Sequence, residues 1–276
     1  MKPEICSVHT HSVLCDGKNT LAEMADAAYH AGVRYFGASG HSPTPIPHDA
    51  GNVLPDDLTV YRRELQELRQ RYDGRMEVLW GIEQDSCGHQ AVPDWCDYWI
   101  GSVHNLYDPA AGKYHGIDWG TEQLSACCRE MFHGDFMALT EKYYEDVAII
   151  AAKKPAILGH IDLITKFNED GSFLDESARR YRAAALEALH AADPAATLLE
   201  INTGAMARGY RTVPYPALFL LREWKAMGGE VILTADAHSA GGIVWGYRQA
   251  AELAAAAGYR RSVVLTLAGR ALCPLA

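Results

Sequence analysis

The chain has 276 residues, with 25 Lys and Arg against 35 Asp and Glu, a formal charge of −10 when His is neutral. That balance excludes a protein held mainly by nucleic-acid phosphates, and 49% hydrophobic with 22% charged residues excludes a disordered or fibrous chain. No apolar run approaches the roughly 18 to 20 residues of a spanning helix, Met1-Lys2-Pro3-Glu4 is not a basic leader, and seven cysteines without a Cys-x-x-Cys pair form neither a disulfide framework nor a thiolate zinc knuckle, so the expectation is a cytoplasmic protein with neither nucleic-acid nor membrane partners.

No repeat, low-complexity tract or long Gly/Ser/Pro linker breaks the sequence, which predicts one domain over 1–276. Ile5 to His9 reads as a strand; Thr20 then caps a helix with apolar Leu21, Met24, Ala25 and Ala28, ending at Gly32. Val33 to Ser39 is the next strand, Asp56 to Tyr72 a helix, Met76 to Ile82 and Tyr98 to Val103 strands. Tyr107 to Trp119 reads as a polar, aromatic loop, and Glu122 to Lys153 as two helices broken near Gly134. Strands follow at Ala156 to Gly159, Thr197 to Ile201, Val231 to Ala235 and Ser262 to Leu267, with helices at Glu176 to Ala192, Tyr215 to Met227 and Val244 to Ala257. About seven or eight such units favour an α/β barrel of parallel strands. The open doubly wound alternative lacks its Gly-x-Gly-x-x-Gly turn after the first strand.

In a parallel barrel, chemistry gathers where strands end. The first strand runs into His9-Thr10-His11 with Asp16 beyond, and later strands into Gly40-His41, Glu83, His104, His160 and Asp236-Ala237-His238. His, Asp and Glu are the inventory of a nitrogen-and-oxygen metal site. His-x-His in extended backbone puts both imidazoles on one side, and the same holds for Asp236 and His238. Glu83, with two oxygens, can bridge a metal pair. Nine candidates exceed the needs of one tetrahedral ion, so two or three divalent ions are implied, of Zn, Mn or Fe type. Singly, each residue also reads as a hydrogen-bonded loop or turn residue; it is their joint registration with strand ends that points to metal. His30, His133 and His190 lack that registration, while His48, His89 and His115 remain possible supporting or substrate groups.

The ordered motifs His9-Thr10-His11 with Asp16, Gly40-His41-Ser42, Gly81-Ile82-Glu83, Gly101-Ser102-Val103-His104, Gly159-His160-Ile161-Asp162 and Asp236-Ala237-His238 resemble those of the PHP (polymerase and histidinol phosphatase) superfamily, from residue 9 to about residue 248. Ser102-Val103-His104, Gly159 to Ile164 and Glu200-Ile201-Asn202-Thr203 resemble its stand-alone L-histidinol-phosphate phosphatases. The resemblance implies a distorted (β/α)7 TIM-like barrel with three metals: one on His9, His11, Glu83 and Asp236, one on Glu83, His104 and His160, one on Asp16, His41 and His238. Two positions depart from the pattern. Ala235 stands where many relatives have Ser, and Lys166 stands where Arg would be commoner, so the bidentate fork of Arg is missing there.

The implied reaction is direct hydrolysis of L-histidinol phosphate, in histidine biosynthesis, by a metal-activated hydroxide in line with the leaving alkoxide, with no phospho-enzyme. Glu83, Asp236 and His238 are the catalytic candidates. Lys166, Arg208 and Arg211 follow strand ends and are candidates for the phosphate oxygens. Tyr107 and Tyr114, with Trp119, could wall an imidazole ring. The alternatives are a PHP-type phosphoesterase for a nucleotide or other small phosphate ester, and a non-catalytic metal-binding or regulatory domain.

Overall fold

The computed structural model describes residues 4–275; Met1, Lys2 and Pro3, part of the segment read as lacking a leader, lie outside the described residues, as does Ala276. The chain runs β1 (Ile5–Ser7), α1 (Leu21–His30), β2 (Val33–Ala38), α2 (Thr59–Arg71), β3 (Glu77–Asp85) and β4 (Tyr98–Ser102). A hairpin of β5 (Asn105–Asp108) and β6 (Lys113–Gly116) precedes α3 (Thr121–Phe132) and α4 (Phe136–Ala152). Then come β7 (Ile157–Leu158), α5 (Arg179–His190), β8 (Leu198–Asn202), α6 (Gly204–Ala207), α7 (Leu218–Ala226), β9 (Glu230–Thr234), α8 (Tyr247–Ala256), β10 (Arg261–Thr266) and β11 (Gly269–Pro274).

Local chemistry sets the helix ends. The Thr20 hydroxyl accepts from the Glu23 N–H while the Glu23 carboxylate accepts from the Thr20 N–H, a capping box that starts α1 and turns Leu21, Met24, Ala25 and Ala28 inward. The break between α3 and α4 falls where the sequence places it: His133 and Gly134 take positive φ, and Asp135 caps α4 through the N–H groups of Met137 and Ala138.

Seven strands pair in parallel in the order β1-β2-β3-β4-β7-β8-β9. The ring closes beyond the ends of β1 and β9, where Thr10 bridges Ala237 and the His11 and Ala237 N–H groups donate to Ala237 and His9 carbonyls at 2.9 and 3.0 Å. This is a distorted TIM-like barrel. Its interior is packed with Val8, Leu79, Tyr98, Ile100, Leu198 and Ile232. The Tyr98 ring lies across Gly37 and Gly81, where an added Cβ would come within 2.4 and 2.2 Å of it, and its hydroxyl donates to the Val8 and Ala38 carbonyls at 2.5 and 3.2 Å. These two strand glycines are there for the ring, not for a turn.

Two hairpins depart from the expected pattern. β10, expected as a last parallel strand, meets β9 at only one register pair, Val263 with Ile232, and pairs along its whole length with antiparallel β11. This hairpin lies across the strand N-termini: Leu267 N–H donates to Glu77, and Arg270 donates to the Ala156 and Ala196 carbonyls. It plugs the barrel floor. The stretch expected as a loop, Tyr107 to Trp119, contains most of the β5–β6 hairpin; the Asp108 carboxylate accepts from the Ala110 and Ala111 N–H groups and Gly112 supplies a φ of 65°, which makes the turn. Among the described residues no helix is long and apolar enough to cross a membrane.

Candidate metal centre and active-site cleft

At the open end of the barrel the strand ends deliver their polar residues to one point. His9 and His11 leave β1 on the same side and are fully buried. Asp16 is returned to them by a tight turn in which Cys15 and Gly17 N–H both donate to the Ser12 carbonyl; a Cβ on Gly17 would come within 2.5 Å of the Ser12 backbone nitrogen, so only glycine allows this approach. His41 bridges to Glu83 across the ends of β2 and β3. Asp236 takes φ 48°, a left-handed conformation that Asp adopts more readily than most residues.

Glu83 sits at the centre, 1% exposed. Its Oε2 lies 3.1 Å from His9 Nε2, 3.5 Å from His11 Nε2 and 3.0 Å from His41 Nδ1. The other oxygen, Oε1, lies 3.0 Å from His160 Nε2 and 3.5 Å from His104 Nε2 and accepts from the Ser102 hydroxyl at 2.7 Å. One carboxylate therefore faces two groups of imidazoles. Asp236 Oδ1 stands 3.3 Å from His11 Nε2 and 3.7 Å from His9 Nε2, and Asp16 Oδ2 lies 3.0 Å from His238 Nε2 and 3.5 Å from His41 Nε2.

Four groups of ligand atoms able to converge on an ion emerge among the described residues: His11-Asp16-His41-His238, His9-Glu83-His160, His9-His11-Asp236 and His41-Glu83-His104. They use all nine candidates, and no other residue. The grouping differs from the implied one in that His11 joins Asp16, His41 and His238, while His41 also reaches Glu83. A cation fits this donor set: His9 Nε2, His11 Nε2 and Glu83 Oε2 are buried, converge, and have no hydrogen-bond partner, a costly state for polar atoms unless an ion takes the space between them.

The electrostatics are those of a coupled cluster. Burial opposes charge on His9 and His41, yet Glu200, Glu83 and Asp236 around the first, and Asp16 and Glu83 around the second, raise both well above the ordinary imidazole range. His11 goes the other way, to about 3, through burial and the neighbouring His238 and His41. Burial also opposes charge on Glu83 and Asp236, but histidines around the one, and Arg208 with His9 beside the other, hold both well below the usual carboxylate range.

Two carboxylates that sequence reasoning gave no role stand behind the imidazoles. Glu200 Oε1 accepts from His9 Nδ1 at 2.5 Å and its Oε2 from the His160 N–H at 2.7 Å; Asp85 Oδ2 accepts both Nδ1 and the backbone N–H of His104, at 2.7 and 2.9 Å. Each fixes its imidazole with Nε2 toward the cluster. The signal was strand alternation: Glu200 and Asn202 punctuate apolar β8, and Asp85 shares a face of β3 with Glu83.

The cluster opens into a cavity of about 260 Å³ bordered by Asp118, Trp119, Lys166 and Arg208. Arg208 donates to Asp236 Oδ2 at 3.0 Å and reaches His238 Nδ1 at 3.0 Å. Lys166 donates to the Asp118 carbonyl and carboxylate at 2.6 and 3.1 Å. Arg211 is elsewhere: it pairs with Glu169 and Glu176, donates to the Thr165 carbonyl, and does not border the cavity. Two carboxylates already occupy its fork, so the expectation of a phosphate contact is corrected to a loop tie. Tyr107 and Tyr114 pack against each other across the β5–β6 hairpin, tilted, with ring centroids 4.9 Å apart, and do not border the cavity either; Trp119, past the hairpin, does.

Comparison with known proteins places this geometry. The PHP domain profile matches residues 6–204. A protein of Deinococcus radiodurans named "Probable histidinol-phosphatase" is 30% identical over 86% of this chain and 87% of its own length, and the histidinol-phosphatase of Bacillus subtilis is 26% identical over 87% and 95%. The crystal structure of histidinol phosphate phosphatase from Lactococcus lactis, complexed with zinc, L-histidinol and phosphate, superposes with a TM-score of 0.62 at 18% identity, covering 96% of this chain and 98% of that one. With the matched profile spanning most of its length, the chain belongs to the PHP domain family.

Proposed function

We propose that the protein is a metal-dependent phosphomonoester hydrolase that converts L-histidinol phosphate to L-histidinol and phosphate. The observation that carries this reading is the convergence of buried, unpartnered His9 Nε2, His11 Nε2 and Glu83 Oε2 beside a cavity bordered by two cations. The names of the Deinococcus and Bacillus relatives, and the ligands of the Lactococcus structure, supply the substrate. His9, His11, Asp16, His41, Glu83, His104, His160, Asp236 and His238 would hold two or three divalent ions, of which zinc is the identity the Lactococcus complex favours. Bound there, such ions supply Lewis-acid polarisation of the phosphoryl oxygens and a nucleophile at neutral pH.

The chain's own residues do the rest. Glu83 holds the two imidazole groups in one register, and its charge is shared between them. Arg208, anchored on Asp236 and His238, presents its guanidinium edge where phosphate oxygens enter, and Lys166 offers a point charge from the opposite loop, held there by Asp118. The whole chain acts as one catalytic unit in the cytoplasm.

The test is phosphate release from a panel of small phosphomonoesters after reconstitution with Zn, Mn or Fe. L-histidinol phosphate should exceed a generic aryl phosphate in kcat/KM by about two orders of magnitude or more, because remote groups orient the ester. Equal rates on both would remove the histidinol assignment and keep the phosphatase, and no release from any ester would remove both.

A further inference from the structure

Five aspartates border the cavity, and four lie against a basic side chain: Asp16 against His41 and His238, Asp85 against His104, Asp118 against Lys166, Asp236 against Arg208. Asp49, in the turn after β2, is the fifth. It is 3% exposed, its Oδ2 accepts the Thr44 hydroxyl at 2.6 Å, and its Oδ1 has no hydrogen-bond partner; the His48 ring, half-exposed, brings Nε2 to 3.4 Å from it. Asn105, 5% exposed and also bordering the cavity, likewise leaves its Oδ1 without a donor.

Two buried acceptors without donors, in the wall of a polar cavity, are complementary to a ligand that brings donors. The Thr44 hydrogen bond fixes the Asp49 carboxylate, so Oδ1 is held in place before any ligand arrives. A carboxylate takes an ammonium group by charge-assisted hydrogen bonds, and a neutral amide oxygen can take a second of its three N–H groups. Lys166 and Arg208 border the same cavity, each already held by a carboxylate, so its lining carries both signs of charge.

We propose that Asp49, assisted by Asn105, is the amine-recognition subsite of this cleft and selects phosphomonoesters that carry a primary ammonium group. The subsite rests on the phosphatase reading for its substrate, and it adds to that reading the residue that separates an amino-alcohol phosphate from a neutral one. Trp119, in edge contact with His48 at 5.4 Å, offers its ring to the remainder of the ligand.

The experiment measures kcat/KM of the zinc-loaded protein for L-histidinol phosphate and for its des-amino analogue, in wild type and Asp49→Asn. The wild type should prefer the aminated ester by about 10- to 100-fold, the worth of a charged hydrogen bond, and Asp49→Asn should erase most of that preference through KM. An equal loss on both esters, or a preference that survives, overturns the proposal. Should Asp49→Asn not fold, Asn105→Ala must still narrow the preference by about threefold or more; no change there overturns the assignment. If the wild type hydrolyses neither ester, the phosphatase reading fails separately, and calorimetry with L-histidinol against its des-amino analogue decides the subsite by the same ratio.

Discussion

Behind His9 lies a carboxylate with every acceptor position taken. Glu200 receives His9 Nδ1 and the Thr234 hydroxyl on one oxygen, the His160 N–H and the Asn202 amide on the other, at 2.5 to 3.0 Å, and it is fully buried. Glu200→Gln would turn an NH2 group toward donors, losing the charge that orients His9, and the expected result is metal affinity weakened about 10- to 100-fold, read by competition with a chelator. Glu83→Gln is a different case. Glu83 faces both imidazole groups, so its loss should abolish turnover and lower Tm while circular dichroism still shows a folded barrel; a variant with near-normal kcat would refute its bridging role. The nine ligand candidates were legible because metal-type residues stood at successive strand ends. The role of Glu200 was not legible, since nothing in a linear sequence tells a carboxylate that touches an ion from one that touches the imidazole behind it.

At the level of elements, the strands that build the barrel were visible as β-rich runs, and the helices between them as apolar faces with caps. The β10–β11 hairpin was not. Gly269-Arg270-Ala271-Leu272 has no alternation strong enough to mark a strand, and β11 exists because β10 gives it a partner and the open floor of the barrel needs covering. The β5–β6 hairpin was hidden by composition, its polar Asn105 and Asp108 being buried and its Tyr107 exposed. Gly37 and Gly81 show the opposite situation, two residues that weaken strands locally but make the interior possible, because the Tyr98 ring occupies the volume of their missing side chains. Gly81→Ala should therefore destabilise the fold by about 1 to 3 kcal/mol or more through overpacking, measured by denaturant unfolding. Adding Tyr98→Leu should recover part of that loss, since the clash then disappears; a double variant no better than the sum of the singles would show that the ring is not the cause.

For the whole molecule, the charged cluster links metal binding, protonation and stability. In the metal-free protein, burial opposes charge on His104, but Glu83, Asp85 and Asp118 raise it to about 9, and His9 and His41 are raised as well. These values exceed the roughly 6.5 of an unfolded imidazole, so the imidazolium–carboxylate pairs contribute stability that is fully present below about pH 6.5 and is lost as pH rises through 9. His11, lowered to about 3, acts oppositely, but only between that value and the unfolded one, on the acid side of the same range. Between about pH 6.5 and 9 the metal-free cluster accordingly loses protons and keeps its carboxylates, while a metal-loaded cluster replaces those protons with ions. Two consequences are measurable. Metal binding at pH 7 should release protons, seen as a dependence of the calorimetric heat on the ionisation enthalpy of the buffer. The Tm difference between metal-loaded and chelator-treated protein should widen by several degrees between pH 6.5 and 8.5, because a hundredfold gain in effective affinity adds about 2.7 kcal/mol of stability. A gap that stays constant or narrows over that range would mean that protons and metals do not compete for His9, His41 and His104, and the cluster would then have to be reassigned as a set of structural ion pairs.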